Sequence, residues 1–229
     1  MLIGYPEEKR QFLLNGFNYG FIVPITPFNY NSEVLNHPSA LANPTEVDKL
    51  IMTELSMDRI AGPFDTPPFD NFHCSPLALI QKSNGSFRLI HDLSSPFDDS
   101  VNSNIPQCYK SVKYETLDDA ITLIVTSGQY SLIAKADVES AFRQLPIHPQ
   151  SIHLLGFKWR GKYYADRSCP FGLAISCACY QAFSDSLAWV LKQKYNVKSL
   201  TYILDDFCFF SSSNSNECLL SLLAGGPSS

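Results

Sequence analysis

The chain lacks the features that mark several large classes of protein. Its 17 lysines and arginines are outnumbered by 22 aspartates and glutamates, and the formal charge of −5 excludes a generally basic surface for holding nucleic acid. No apolar run approaches the roughly 18 to 20 residues that a membrane span requires. The N-terminus reaches the charged stretch Glu7-Glu8-Lys9-Arg10 before a signal-peptide core can form. We expect no membrane partner and an intracellular protein, cytoplasmic or nuclear rather than secreted.

Motifs of other common enzymes are also missing. The sequence contains neither a G-x-S-x-G elbow nor a phosphate-cradling G-x-x-x-x-G-K loop. Seven cysteines, an odd number, predict reduced thiols in the absence of a signal peptide. Cys169, Cys177 and Cys179 lie near His153 in sequence, but their spacing is not that of a zinc site. We therefore assign no structural zinc.

What the chain does have is enough apolar surface for a core. With 229 residues, 45% of them hydrophobic and 13% aromatic, it can form one large or two small domains. Hairpin signals alternate with amphipathic helices along the sequence. The pattern predicts the α+β class rather than a parallel, doubly wound sheet.

Helices are indicated by caps and apolar periodicity. Thr45 with Asp48 predicts a capping box, and Gly62-Pro63 a stop, for one helix in an otherwise loop-rich N-terminal region. Thr116 with Asp119 predicts a second capping box. The apolar positions behind these two caps are Val47, Leu50, Ile51 and Leu55, and Leu117, Ala120, Ile121, Ile124 and Val125 up to Gly128. A third helix follows from the spacing of Phe183, Leu187, Val190 and Leu191.

Hairpins account for most of the remaining pattern. Asn84-Gly85 between two apolar runs predicts a two-stranded ribbon that carries Lys82 and Arg88. The segment 154–166 predicts a second hairpin. Thr201–Phe210 predicts a third, with two aspartates at its turn. A short helix is a further candidate at 218–223.

The aspartates are the candidates for chemistry. Asp205 and Asp206 stand among apolar, β-forming residues, where two ionised carboxylates repel each other unless a cation neutralises them. Asp137 ends another strand-like run, Tyr130–Asp137. Three such carboxylates could hold two Mg²⁺ ions about 3.5 to 4 Å apart. Taken singly, each element is also explained as a turn or helix-capping aspartate.

Five blocks in this order resemble the reverse transcriptases, and more closely those of DIRS-type retroelements, which pair such a polymerase with a tyrosine recombinase. The similarity extends from about Gly4 to about Leu223 and includes Arg59–Phe64. The five blocks are Ser75–Leu93, Lys135–Pro149, Leu155–Tyr164, Cys169–Leu173 with Ser176–Gln181, and Ile203–Phe207.

The resemblance implies a fold of fingers and palm, with an antiparallel palm sheet backed by helices and a chain truncated before the thumb. The expected boundaries are a lead-in at 1–70, fingers at about 71–134, a palm at 135–223 and a disordered tail at 224–229.

The resemblance also implies which residues hold metal. Asp137, Asp205 and Asp206 match the family's catalytic carboxylates, and the backbone carbonyl of Val138 matches a further ligand. The expected cofactor is a pair of Mg²⁺ ions, for which Mn²⁺ is a possible substitute.

Further positions match residues that contact the incoming dNTP. Arg88, and with it Lys82, corresponds to the grip on the triphosphate, a role that suits a guanidinium fork. Phe142 corresponds to the steric gate under the sugar, and Phe171-Gly172 with Gln181 to the turn and helix beside the nucleotide. The alternatives are exposed charges on a ribbon, an apolar helix face and an ordinary Pro-Gly turn.

These matches predict an RNA-directed DNA polymerase that uses an RNA/DNA template-primer and dNTPs. Thumb, RNase H and recombinase parts of a polyprotein are possible partners. A second hypothesis is a catalytically inactive relic that folds and at most binds nucleic acid or a partner. A third is an RNA-dependent RNA polymerase, against which the bulky Phe142 argues.

Overall fold

A computed structural model describes residues 2–27, 29–31 and 33–212. The α-helices are α1 (Glu7–Tyr19), α2 (Pro38–Leu41), α3 (Pro44–Ser56), α4 (Leu117–Ser127) and α5 (Ser176–Lys194). The strands are β1 (Ile60–Phe64), β2 (Leu77–Gln81), β3 (Phe87–His91), β4 (Leu132–Asp137), β5 (Gly156–Trp159), β6 (Lys162–Asp166), β7 (Leu200–Ile203) and β8 (Asp206–Ser211). Short 3-10 turns occupy Gln107–Tyr109, Ala141–Gln144 and Pro149–Leu154.

The strands form three separate antiparallel sheets, in the orders β1-β6-β5, β2-β3 and β4-β8-β7. The contacts divide the chain into two compact units. Unit 1 takes the described residues up to Leu13, Val112–Ala141 and those from Cys179 onward; unit 2 takes Leu14–Ser111 and Phe142–Ala178. The α+β class with antiparallel sheets is confirmed, whereas the linear fingers and palm boundaries stay a prediction.

Unit 1 contains the sheet β4-β8-β7, which is packed against α5. Alternate strand residues point to one face, and Leu200, Phe207 and Phe209 are buried there against Ala188 and Leu191 of α5. This core fixes the side of the sheet that the helix covers.

Unit 2 has its core between α3 and the strands of two sheets. Val47 and Ile51 of α3 are buried with Leu77, Phe157 and Trp159. The apolar face predicted for α3 is thus confirmed. The β2-β3 and β5-β6 hairpins are confirmed as well.

The predicted start and stop of α3 are wrong. Pro44 occupies the first turn, Asn43 precedes the helix, and no side-chain cap is formed. Asp48 instead accepts hydrogen bonds from Trp159 Nε1 at 2.7 Å and from Arg160 Nε at 2.9 Å. The helix ends at Ser56, and Gly62-Pro63 lies within β1.

The N-terminal region holds more helix than the one that the sequence marks. α1 begins directly after Pro6 with Glu7 and Glu8 in its first turn, which suits the helix dipole. Its polar and apolar residues do not separate into a clear stripe, so periodicity could not reveal it.

The second predicted capping box is confirmed. Thr116 and Asp119 bond each other's backbone N–H, and Gly128 ends α4. The apolar stripe of α4 is largely exposed, with 76% of Leu117 and 72% of Val125 accessible.

Two expectations concern other parts of the chain. None of the helices among the described residues is long and apolar enough to cross a membrane. The helix expected at 218–223 and the tail expected at 224–229 lie outside the described residues.

Candidate active site

The three aspartates meet at the end of the β4-β8 ladder in unit 1. Asp137, the last residue of β4, is the direct cross-strand partner of Asp206, the first residue of β8. Asp205 occupies the turn between β7 and β8. The backbone N–H of Val138 donates to the carbonyl of Asp205 at 3.2 Å, which joins the end of β4 to this turn. The register thus brings together residues 67 to 69 positions apart.

Like charges placed directly opposite each other on two strands destabilise a sheet. Among the described residues, one ion pair compensates the charge of these carboxylates, between Lys135 Nζ and Asp206 at 2.8 Å. The hydrogen bond and charge of Asp206 raise the pKa of Lys135. One ammonium group therefore faces three carboxylates.

Asp205 carries the electrostatic signature of this crowding. Its partial burial raises the pKa of its carboxyl, and the nearby charges of Asp137 and Asp206 raise it further. Lys135 acts in the opposite direction without cancelling the effect. A positive ion at this position would relieve the repulsion.

The donor set suits a hard cation, but it is not arranged as a finished metal cage. Among the described residues, no group of three or more His, Cys, Asp and Glu side chains is placed to hold a metal ion. Asp206 is turned to Lys135 instead. Carboxylate oxygens are the ligands that Mg²⁺ prefers, together with water and substrate phosphates. The residues therefore fit Mg²⁺ chemically once Asp206 exchanges its ammonium partner for the ion.

Four of the predicted nucleotide-contacting residues lie in unit 2: Arg88, Phe142, Phe171 and Gly172. The Arg88 guanidinium carbon lies 4.6 Å from the ring centroid of Phe171. The rings of Phe171 and Phe142 meet edge to face at 5.6 Å. A guanidinium over an aromatic face is held in place by the cation–π attraction while its N–H groups stay available to an anion. The arrangement favours an exposed, oriented arginine.

The backbone conformation and surroundings of Gly172 require a glycine at this turn. Its φ of +118° lies in a region that side chains rarely adopt, and an added Cβ would lie 2.0 Å from the backbone oxygen of His91. The turn is fixed on both sides: His91 N–H donates to the Phe171 carbonyl at 3.0 Å, and Asn102 Nδ2 donates to the Gly172 carbonyl at 2.7 Å.

No local pattern in the sequence predicts the buried charged network next to this turn. His91 Nδ1 lies 2.8 Å from Asp166, and its Nε2 lies 2.9 Å from the carbonyl of Gly156. Arg143 donates to Asp166 at 2.6 Å and to Glu54 at 2.8 Å. Burial acts to raise the pKa of Asp166, but Arg143 and His91 outweigh it, so this pKa is lowered. Partners from four distant segments form this network, which local patterns cannot reveal.

The two remaining predicted residues have different settings. Lys82 is exposed in the turn of the β2-β3 hairpin, where its N–H donates to the Ser86 carbonyl at 2.7 Å. Gln181 is buried on α5 in unit 1. Its Oε1 accepts from the N–H of Leu204 at 3.1 Å, and its Nε2 donates to Asp185 at 3.0 Å. Contact of either residue with a nucleotide stays a prediction.

The chain matches the family model described as reverse transcriptase (RNA-dependent DNA polymerase) over residues 80–224. The comparison with curated proteins finds no match.

Solved structures share the fold. The native prototype foamy virus protease-reverse transcriptase is 20% identical with a TM-score of 0.60, over 88% of this chain and 24% of that one. The foamy viral protein in complex with an RNA/DNA hybrid is 19% identical with a TM-score of 0.57, over 88% and 26%. A complex of its dRH form with double-stranded DNA is 17% identical with a TM-score of 0.57, over 88% and 31%. This chain spans between 24% and 31% of the length of these three structures.

Proposed function

Since the chain belongs to the reverse transcriptase (RNA-dependent DNA polymerase) family, we propose that it joins dNTPs to a primer 3′-hydroxyl on an RNA template. The observation that carries this proposal is the pairing of Asp137 with Asp206 beside Asp205, where Lys135 forms an ion pair with Asp206. Three carboxylates with so little compensation suit a site that is completed by divalent cations.

The residues of unit 1 would hold the metal. Asp137, Asp205, Asp206 and the carbonyl of Val138 are the ligands in this proposal, with Mg²⁺ as the ion and Mn²⁺ as a substitute. Bound Mg²⁺ supplies charge neutralisation for the triphosphate and lowers the pKa of the primer hydroxyl. Lys135 orients Asp206 before the ion arrives, and the cross-strand register holds Asp137 opposite it.

The residues of unit 2 would position the nucleotide. Arg88, oriented by the Phe171 ring, can donate two parallel N–H bonds to phosphate oxygens. Lys82 adds an exposed charge on the same ribbon. Phe142, braced edge to face by Phe171, serves as the gate against a 2′-hydroxyl. The narrow turn at Gly172 permits close backbone approach.

These roles give the parts of the fold their proposed names. The sheet β4-β8-β7 with α5 is the palm, and the β2-β3 ribbon belongs to the fingers. The template-primer is the proposed partner. Thumb, RNase H and recombinase regions of a polyprotein are further proposed partners.

Two finer assignments accompany the proposal. The blocks, together with Arg59–Phe64, which includes the whole of β1, support the DIRS-type subclass. A tyrosine recombinase reading frame in the same element is the expected genomic finding, and a protease-integrase arrangement would contradict it. The free cysteines among the described residues, such as Cys74 and Cys169, support an intracellular location.

The test is primer extension on an RNA template with dNTPs and Mg²⁺ or Mn²⁺. The chain is compared with the double variant Asp205→Asn/Asp206→Asn and with Asp70→Asn, which removes an exposed carboxylate in unit 2. Extension that requires the metal, disappears in the double variant and survives in Asp70→Asn supports the proposal.

Two other results would favour the competing functions. A folded chain that binds template-primer without extending it would support the inactive relic and defeat the proposal. Incorporation of NTPs in preference to dNTPs would support an RNA polymerase and remove the gate role of Phe142.

A further inference from the structure

The residue that precedes the two aspartates, Leu204, has an unfavourable backbone conformation. Leu204 has φ of +53°, in the left-handed region that residues with a Cβ adopt rarely. Asp205 and Asp206 follow it directly, so their direction depends on this one residue. Such a conformation persists only where its surroundings hold it.

Two side chains of α5 hold both polar groups of Leu204. Ser184 Oγ donates to the Leu204 carbonyl at 2.7 Å. The Leu204 N–H donates to Gln181 Oε1 at 3.1 Å. Residues three apart on a helix share a face, so one face of α5 reaches both ends of the residue. Ser184 is fully buried, and water cannot replace its hydroxyl without rearrangement.

A third residue fixes the orientation of the Gln181 amide. Gln181 Nε2 donates to Asp185 Oδ1 at 3.0 Å, and the Tyr202 hydroxyl donates to the same oxygen at 3.1 Å. A carboxylate can only accept and a backbone N–H can only donate. The amide therefore has one satisfactory orientation, with its oxygen toward Leu204.

We propose that Ser184 and Gln181 are positioning residues that hold Leu204 in its left-handed conformation and thereby set the direction of Asp205 and Asp206 for metal binding. The inference deepens the proposed function and rests on it for the metal. Its structural part, the clamp on Leu204, does not depend on the metal. Neither side chain needs to touch the nucleotide.

The experiment measures Mn²⁺ binding to the whole chain by electron paramagnetic resonance, and amide exchange at Leu204 by NMR. Ser184→Ala removes one bond of the clamp, and Gln181→Leu removes the other. Each should weaken Mn²⁺ binding roughly three- to tenfold, the effect of one lost hydrogen bond. Each should also speed exchange at Leu204 while the remaining core amides of unit 1 stay protected.

The matched control is Ser186→Ala. This change deletes another buried hydroxyl from α5, one that donates within the helix to the Phe183 carbonyl at 2.7 Å. Its Mn²⁺ affinity and Leu204 exchange should equal those of the unaltered chain. An equal effect of Ser186→Ala and Ser184→Ala would reduce the clamp to general packing and overturn the inference.

A rescue variant separates positioning from simple structural support. Asn tolerates the left-handed region better than other residues with a Cβ, so Ser184→Ala/Leu204→Asn should recover most of the Mn²⁺ affinity lost in Ser184→Ala. Absence of recovery would overturn the claim that backbone conformation is what Ser184 controls.

Failure of the proposed function would show itself separately. If the unaltered chain binds no more Mn²⁺ than Asp205→Asn/Asp206→Asn, the metal site fails and the exchange data alone decide the clamp. Faster exchange at Leu204 in Ser184→Ala and Gln181→Leu then supports the clamp, and unchanged exchange overturns it.

Discussion

Asp166 in unit 2 and the aspartates at the end of the β4-β8 ladder in unit 1 are balanced in different ways. Asp166 is buried, yet it lies against Arg143 and His91, and Arg143 also pairs with Glu54. Asp206 is about half exposed and has Lys135 for a partner, while Asp137 stands opposite it. The comparison teaches that the buried carboxylate has partners that balance its charge, whereas the more exposed carboxylates at the strand ends share one ammonium group.

Arg143→Met should disrupt the charge-balanced network around Asp166 and produce the largest loss of stability. The change leaves the buried carboxylate of Asp166 without its guanidinium, and breaking such a pair costs about 3–5 kcal/mol. Urea unfolding followed by far-ultraviolet circular dichroism measures the loss. The control is Arg160→Met, whose pair with Asp48 is exposed at 59% and 39% and should contribute at most about 1 kcal/mol. Equal losses would show that the buried network has no special weight.

Gly172→Ala should have the next largest effect, because it strikes the turn that contacts the balanced network. The new Cβ would meet the His91 backbone at 2.0 Å, and we expect a loss of about 1–3 kcal/mol for the forced backbone change. The Michaelis constant for dNTPs should rise as Phe171 shifts under Arg88. Gly161→Ala is the control, since φ is +75° there and the Cβ would meet no atom within 4 Å. If both variants behaved alike, strain alone and not the contact with His91 would explain the turn.

At the end of the β4-β8 ladder, Asp137→Asn should lower activity without lowering stability. Removal of one of two opposed charges should leave stability unchanged or raise it by up to about 1 kcal/mol, while primer extension falls at least about a hundredfold. Thermal unfolding and extension assays on the same preparation measure both. A variant that lost stability together with activity would place Asp137 among the structural carboxylates.

The distance along the chain between interacting residues explains what the sequence could predict. The β2-β3 hairpin, the cap of α4 and the strand-turn-strand around Asp205 depend on neighbours within a few residues, so local patterns sufficed. The resemblance predicted that Asp137, Asp205 and Asp206 share a site, and the structure supplies the register that pairs Asp137 with Asp206. The rest depended on distant partners.

Asp48 shows how distant partners mislead a local reading. Its position three residues after Thr45 has the form of a capping box, but Trp159 and Arg160 supply better donors from 111 and 112 positions away. The network of Asp166 and the clamp on Leu204 escaped prediction for the same reason. A local pattern shows what a side chain can do, and the tertiary fold decides which partner it takes.

The dependence of stability on pH should show the smallest effect, and it compares Asp205 with Asp166 directly. Relative to the ordinary carboxyl pKa of 3.8, the pKa of Asp205 is raised and that of Asp166 is lowered. Ionisation of Asp205 therefore costs stability as pH rises from 3.8 through its folded pKa, whereas the contribution of Asp166 is present above 3.8 and is lost as pH falls through its folded pKa. Asp205→Asn should accordingly gain stability relative to the unaltered chain as pH rises, measured by urea titrations in steps from pH 3.5 to 7. Saturating Mg²⁺ should abolish that difference or reverse its sign, because the ion binds the ionised carboxylate. A difference that Mg²⁺ leaves untouched would mean that Asp205 does not take part in metal binding.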